Sequence, residues 1–538
     1  MKSGKKSVRL LTAVLSAAAL SAWMAGSSFA AGWTEQDGSW YYLNSSDAPV
    51  TDSWKDLNGY RFYLGNDGVM QKDALIQDDS GNYYYVNGDG AMVKNSWRFI
   101  TAETDGGYSD ADNHYYYFGA NGQAYKRTAD SDTLYKKQID GNYYAFDEEG
   151  RMLSGWVNEE GEMLDESDAD AFTEGDYYFG EPDDGKMLRA QWMEYMDATD
   201  ASSNVEGIDY DDYGSLWLYF DANGKKYSAP DTADTVEKTV NGYKYSFDQN
   251  GVMLSSFVPA TAGTATQNKY FSSESSGYLK KNTWIYAIPT ESMDPEDYEE
   301  ENYRWFYAGS TGKLYTSDIK KINGKKYLFD ELGRMRSGFV VLGKDDEILA
   351  SFDLNEDELS SEDFLQDDGA VASALAAGGA LYYFGNDEET DGSMKTGKSV
   401  AIALSDDTWK FGFDNNGKAY GTDGTEAVSG KYYKNGLLLA ANADDRYAVL
   451  ETADGSKKVV GTNGSVSEGS HRLVKDGNDC YLLIVDDNYY AYVEDEKAPV
   501  WYEGQYYYYD ADAEGKRGDV IEADEDGAAL SDQQRLNF

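Results

Sequence analysis

Cysteine is almost missing from this chain: Cys480 is the single thiol among 538 residues. No internal disulfide framework can form, so stability must come from packing. Histidine is nearly as scarce, with only His114 and His471. Neither stands in a metal-ligand spacing or beside a nucleophile and an acid, so catalysis through imidazole has no foundation. Proline is used only seven times, which leaves long stretches free to pair as strands. Bases are outnumbered, 47 Lys+Arg against 97 Asp+Glu. Such a balance disfavours nucleic acid, whose phosphates need cationic partners, and it disfavours anionic lipid for the same reason. Charge this high would suggest disorder if aromatics were also lacking. They are not: the chain holds 47 Tyr, 20 Phe and 12 Trp, with 55 Gly.

One apolar run stands out. Lys2, Lys5, Lys6 and Arg9 precede an uncharged stretch from Leu10 to Ala25, and Ser28-Phe29-Ala30 offers small residues at the two positions a signal peptidase reads. A cleaved secretory signal over residues 1–30 is expected. The run is short for a membrane span, and no stop-transfer pattern follows it. Removing it takes four bases and no acids, which leaves 43 bases against 97 acids and a net charge of −54. The chain ends in Gln-Arg-Leu-Asn-Phe, without a sorting motif, so attachment to a cell is expected to be non-covalent.

Repetition organises the rest. A short unit recurs: a Gly turn, an alternating aromatic strand, then a polar turn closing on Gly and usually Met or Tyr. It reads Gly32-Trp33 followed by Gly38 to Leu43, then Trp54, Gly59 to Leu64 and Asn66 to Met70. Later copies span Gly81 to Met92, Gly141 to Met152, Gly242 to Met253 and Gly324 to Met335, with a late one at Gly504 to Lys516. Alternating Tyr and Phe between Asn-Gly or Asp-Gly pairs reads as β-hairpins, because those pairs supply the positive φ of tight turns. Over this lies a longer period. Trp97, Trp192 and Trp284 each open an acidic insertion that returns to an aromatic strand with a Gly/Tyr signature. The signature glycines are Gly122, Gly224, Gly312 and Gly417, and Trp409 to Tyr420 carries the fourth copy. Trp156, Phe257 and Phe339 hold a second shared register. The insertion Asn355 to Ala377, acidic then Ala-rich, has the composition of a short helix. The expected fold is all-β, an elongated solenoid-like array of stacked aromatic hairpins. A lone hairpin is marginal in water, and stacking buries the aromatic faces. The expected divisions are the signal, N-terminal hairpins over 31–96, super-repeats over 97–440 and a divergent β-rich region over 441–538.

The order of residues from Trp33 to Met70 resembles the cell-wall-binding repeats of choline-binding proteins. It is similar also to glucan-binding repeats of streptococci and to the C-terminal repeats of large clostridial toxins. The resemblance implies a surface protein that binds a ligand, and no block of sequence beside the repeats looks like a catalytic domain. It further implies that Trp33, Trp40 and Tyr63 form an aromatic cage for trimethylammonium, with Trp54 beginning the next. Cation–π attraction is worth about 0.5–2 kcal/mol per good contact. This chain departs from the pattern where Arg61, Lys244, Lys326 and Lys410 replace the Trp40 position, since a base there cannot close a cage around another cation. Exposed Tyr and Trp are equally good platforms for sugar rings, and the same aromatics also suit a core.

The expected function is therefore a secreted, non-catalytic protein bound to cell-wall glycopolymer, choline-decorated or otherwise. The alternative is an adhesin-like protein that recognises a host or foreign glycan. No cofactor and no metal are expected. The acid clusters Asp165 to Asp170 and Asp209 to Gly214 lack the ligand order of a calcium loop.

Overall fold

The structure, a computed structural model, describes residues 32–101, 113–128, 133–165, 171–195, 210, 213–259, 268–273, 275–354, 357–385, 391–469, 471–478, 481–493, 500–502, 505–510 and 519–523. The signal segment, Cys480 and most of the acidic clusters just named lie outside them. The chain parts into two compact units, Met1–Leu254 with Ser273–Gly277, and Ser255–Ser272 with Tyr278–Phe538. That boundary falls inside the 97–440 stretch that the repeats suggested as one block.

Both units are all-β and built of antiparallel hairpins, as the alternation implied. The first unit opens with Gly32–Gln36 paired to Ser39–Leu43, then Ser53–Leu57 to Tyr60–Leu64 and Ala74–Gln77 to Tyr83–Val86. It continues through Ser96–Ile100 with His114–Phe118, Gln191–Tyr195 with Leu216–Phe220, and Thr235–Val240 with Tyr243–Asp248. The second unit repeats the pattern at Thr283–Ala287 with Arg304–Ala308 and Asp318–Ile322 with Lys325–Phe329. It then widens into a five-stranded sheet between Gly397 and Leu438. Strands Tyr481–Val485 and Asn488–Val493 answer the expectation for the divergent C-terminal region. Turn chemistry explains the hairpins. Asn58 and Gly59 both hold positive φ, 51° and 85°, the pair of angles a two-residue primed turn demands.

What stitches one hairpin to the next is the residue that closes each unit. The Met70 amide donates to the Trp40 carbonyl, Met92 to Arg61, Met152 to Tyr115 and Met187 to Tyr143. The recurring methionine is thus a strap onto the preceding hairpin, and the signature glycine of the following unit rests on it. A Cβ at Gly122 would lie 2.7 Å from the Met92 sulphur, and one at Gly224 2.6 Å from that of Met187.

The α-helices among the described residues are all short and lie in loops between strands. Ala171–Glu174 brings Phe172 into the core around Trp156, and Glu362–Leu365 brings Phe364 against Phe339. The Ala-rich end of the Asn355 to Ala377 insertion forms Ala370–Ala376, as its composition suggested. Interfaces of two kinds result. At Trp156, Phe257 and Phe339 the ring is sealed, 1%, 2% and 0% exposed. At Trp97, Trp192 and Trp284 it is half-buried.

One interior position breaks the pattern. Lys226 occupies the bridge site that Met70, Leu314 and Ala419 fill elsewhere, and it is buried with its amine donating to the Phe172 carbonyl. Burial pushes that amine down from 10.5 to about 8. The unfolded chain therefore holds more protons between these values, so the penalty is fully present below pH 8 and disappears as pH rises toward 10.5. A shift of this size corresponds to roughly 3 kcal/mol. Lys226→Met should be the more stable protein at pH 7 by urea unfolding, with the gap closing toward pH 10. A gap that is absent at pH 7, or that widens with pH, contradicts this.

Candidate aromatic binding site

Alternation fixes which face each aromatic serves. Cross-strand pairing sets Trp33 opposite Tyr42 and Trp54 opposite Tyr63. Within Tyr60–Leu64, Phe62 and Tyr63 point to opposite faces. Phe62 turns back to the first hairpin, its ring 5.3 Å from that of Trp33, and Trp33 and Trp40 both pack on the core of Phe62, Leu64, Met70 and Ala91. Tyr63 turns forward to Trp54 instead, at 5.1 Å. The structure thus brings Trp33 and Trp40 together and gives Tyr63 to Trp54. The third wall of the first cluster is Phe62, one residue earlier than the resemblance implied.

The second cluster is completed by Tyr84 of the next hairpin, 5.3 Å from Trp54. Tyr84 is pinned through its hydroxyl, which donates to Asp78 at 3.3 Å and accepts from Gln123 at 3.0 Å. Trp54, Tyr63 and Tyr84 are all half-buried. Burial, then the charges of Asp52 and Asp79, push the Tyr63 phenol above its ordinary value, so it remains a neutral donor. The Arg61 guanidinium lies 5.7 Å from the Trp54 ring centre and pairs with Asp56 at 3.6 Å.

The long-period tryptophans repeat one constellation three times. Trp97 stands 5.2 Å from Tyr117, 4.8 Å from Tyr144 and 5.9 Å from Phe146. For Trp192 the corresponding distances, to Tyr219, Tyr245 and Phe247, are 5.0, 4.8 and 5.9 Å. For Trp284, to Tyr307, Tyr327 and Phe329, they are 5.2, 4.8 and 6.0 Å. The signature tyrosines Tyr125, Tyr227 and Tyr315 close each ring circuit, at 5.2, 5.1 and 5.4 Å from the first Tyr of the set. These ring pairs, edge-to-face against the tyrosines beside each Trp and stacked or tilted elsewhere, each add roughly 0.5–1.5 kcal/mol beyond area burial. The sequence register of the tryptophans is therefore a register in space within each unit. The fourth copy does not continue the series. Phe413 holds the place of Phe220, which shifts Trp409 to the opposite face, where it packs on the Phe339 core and donates to Asp406 at 3.1 Å.

Other residues considered from the sequence take no part. His114 lies in a strand opposite Ile100. Among the described residues no group of three His, Cys, Asp or Glu side chains is placed to hold a metal ion. No helix among them is long and apolar enough to cross a membrane.

Residues 50–97, which contain the Trp54, Tyr63 and Tyr84 cluster, match the family model of the choline-binding repeat. The chain is also similar to two curated streptococcal glucosyltransferases. Glucosyltransferase-S of Streptococcus mutans is 26% identical over 243 residues, 42% of this chain and 15% of the relative. Glucosyltransferase-I of Streptococcus downei is 23% identical over 520 residues, 88% of this chain and 27% of the relative. The chain thus spans about a quarter or less of the length of these curated relatives. Among solved structures, choline binding protein F from Streptococcus pneumoniae shares 15% identity over 73% of this chain and 99% of its own, with a TM-score of 0.31. The modular autolysin LytC of the same species, in complex with a synthetic peptidoglycan ligand, shares 17% over 62% of this chain and 53% of its own, with a TM-score of 0.26.

Proposed function

We propose that this protein is a secreted, non-catalytic surface protein that holds a cell-wall glycopolymer through its tryptophan-centred hairpin interfaces. The observation that carries the reading is the half-buried Trp54, Tyr63 and Tyr84 cluster inside the segment that matches the choline-binding repeat. Rings held edge to face by their neighbours, with one side toward solvent, offer a flat apolar surface beside fixed phenol donors. Such a surface suits either a sugar ring or a quaternary ammonium. The basic, then apolar, N-terminal segment supports export, and the excess of acids supports retention by short-range contact over charge attraction. Attachment is non-covalent in this reading, and localisation is the wall or outer surface of the producing cell. Recognition of a host or foreign glycan by the same clusters is the alternative, with no separate observation favouring it.

Co-sedimentation with purified Gram-positive walls tests the proposal. Trp54→Ala should lower wall affinity by about two- to thirtyfold, the range that losing about 0.5–2 kcal/mol per ring contact gives. Tyr243→Ala, at an exposed hairpin tip, should leave it unchanged. Equal effects of the two would show that the Trp54 cluster is only core.

A further inference from the structure

The tryptophan clusters do not lack a cation; the chain supplies one to each. In four of the half-open tryptophan clusters a lysine stands opposite the aromatic that the following hairpin sends back. The register pairs Lys55 with Phe62, Lys137 with Tyr144, Lys238 with Tyr245 and Lys320 with Tyr327. Each ammonium lies near a ring of its own cluster: Lys55 is 5.0 Å from Tyr42, Lys137 5.5 Å from Tyr125, Lys238 5.3 Å from Tyr227 and Lys320, which also donates to Asp318, 5.6 Å from Tyr315. All four lysines are half-buried. The exception follows the same rule by another route. Across from Trp54 and Tyr63 the lysine position is Ile76, paired with Tyr84, and there the Arg61 guanidinium lies over Trp54 at 5.7 Å.

The recurrence is written into the sequence. Each lysine stands two residues before Leu57, Ile139, Val240 or Ile322, which is followed at once by the Asn-Gly or Asp-Gly turn. Turn, aliphatic and lysine therefore form one local unit that fixes where the ammonium goes. A surface lysine placed by chance would not recur at one register position against the same ring circuit in both compact units.

We infer that these lysines are the resident cations of the tryptophan clusters and that they set ligand preference, disfavouring a quaternary ammonium and leaving the rings to uncharged or acidic sugars. This rests on the reading of the clusters as the wall-binding sites. The physics is direct. Cation–π attraction draws on the negative face of each ring, and that face already has a partner. A second cation on the same cluster would sit on the order of 10 Å or less from the first, within the screening length at physiological salt, and with solvent partly excluded. A sugar meets no such repulsion. It can stack on the ring while its hydroxyl or carboxylate accepts a hydrogen bond from the ammonium, which is a donor only.

Choline chloride is the probe, titrated into the full chain and followed by tryptophan fluorescence. The wild-type protein should show a dissociation constant no tighter than about 10 mM. The variant carrying Lys137→Met, Lys238→Met and Lys320→Met should bind choline at least about tenfold more tightly, because it keeps the stem and loses the charge. The corresponding Lys→Arg variant should remain as weak as wild type. Single Lys238→Met and Lys320→Met variants, one in each compact unit, report the same gain if the triple variant fails to fold. Low-millimolar choline binding by wild type, or no gain in any Met variant, overturns the inference. Wall co-sedimentation of the same proteins separates the two ideas. Wild type that binds walls while Met variants gain no choline binding leaves the wall reading standing and removes this one. Failure of every protein to bind walls removes the reading, whereas the choline titration still decides what the lysines do.

Discussion

Replacing Phe339 by alanine should cost the second compact unit about 3–5 kcal/mol, the loss expected when a fully buried aromatic leaves a cavity that cannot collapse. Phe339 is 0% exposed, and its ring meets Phe364 at 4.9 Å, Tyr383 at 4.7 Å and Phe411 at 5.0 Å. Those partners come from a helix of the insertion and from two different sheets, so no single neighbour can move in to refill the space. The same substitution at the half-buried Trp284 should cost less, since solvent reaches part of the ring in the folded state. Urea unfolding of the two variants checks the order. A Phe339→Ala midpoint within the range of ordinary surface substitutions, or a larger loss at Trp284, would show that the sealed and half-open interfaces are not the distinct structural classes described above. Because nearest-neighbour stacking dominates repeat arrays, the loss should concentrate in the hairpins adjoining the change. Hydrogen exchange can localise it.

Much of this architecture was legible in the chain. Asn58-Gly59, Asn241-Gly242 and Asn323-Gly324 announce tight turns, and the alternation on either side announces strands. The spacing of Trp97, Trp192 and Trp284 gave three equivalent positions that the ring distances reproduce. What could not be read was which face each residue serves, because that depends on the register of one hairpin against the next. A slip of one residue exchanges the two faces of a strand. Assigning Tyr63 to the first cluster failed on this point, whereas the fourth signature strand keeps its bridge from Phe413 to Ala419. Phe172 and Phe364 were hidden for a different reason. They sit in insertions without periodicity, and their contacts with Trp156 and Phe339 join positions far apart in sequence. The lysines were visible as residues, and their fixed place before the aliphatic and the turn could have been noticed. Their meaning appears only when each ammonium is seen over the ring of a preceding unit.

The same ring geometry argues for how the protein meets a wall. With 97 acids against 47 bases in the full chain, approach to an anionic polymer is opposed by like charge. That opposition is screened over about 8–10 Å at physiological salt and fades further as salt rises. Stacking of sugars or other groups on Trp and Tyr does not weaken with salt in this way. The central claim, that short-range aromatic contact and not charge attraction holds the protein to a wall glycopolymer, is therefore tested by one titration. Binding of the mature chain to purified walls is measured from low to moderate NaCl, on intact walls and on walls stripped of their glycopolymer. The account predicts binding that holds or strengthens with added salt and is lost on the stripped walls. A steep fall in binding as NaCl rises, or equal binding to stripped walls, would contradict it.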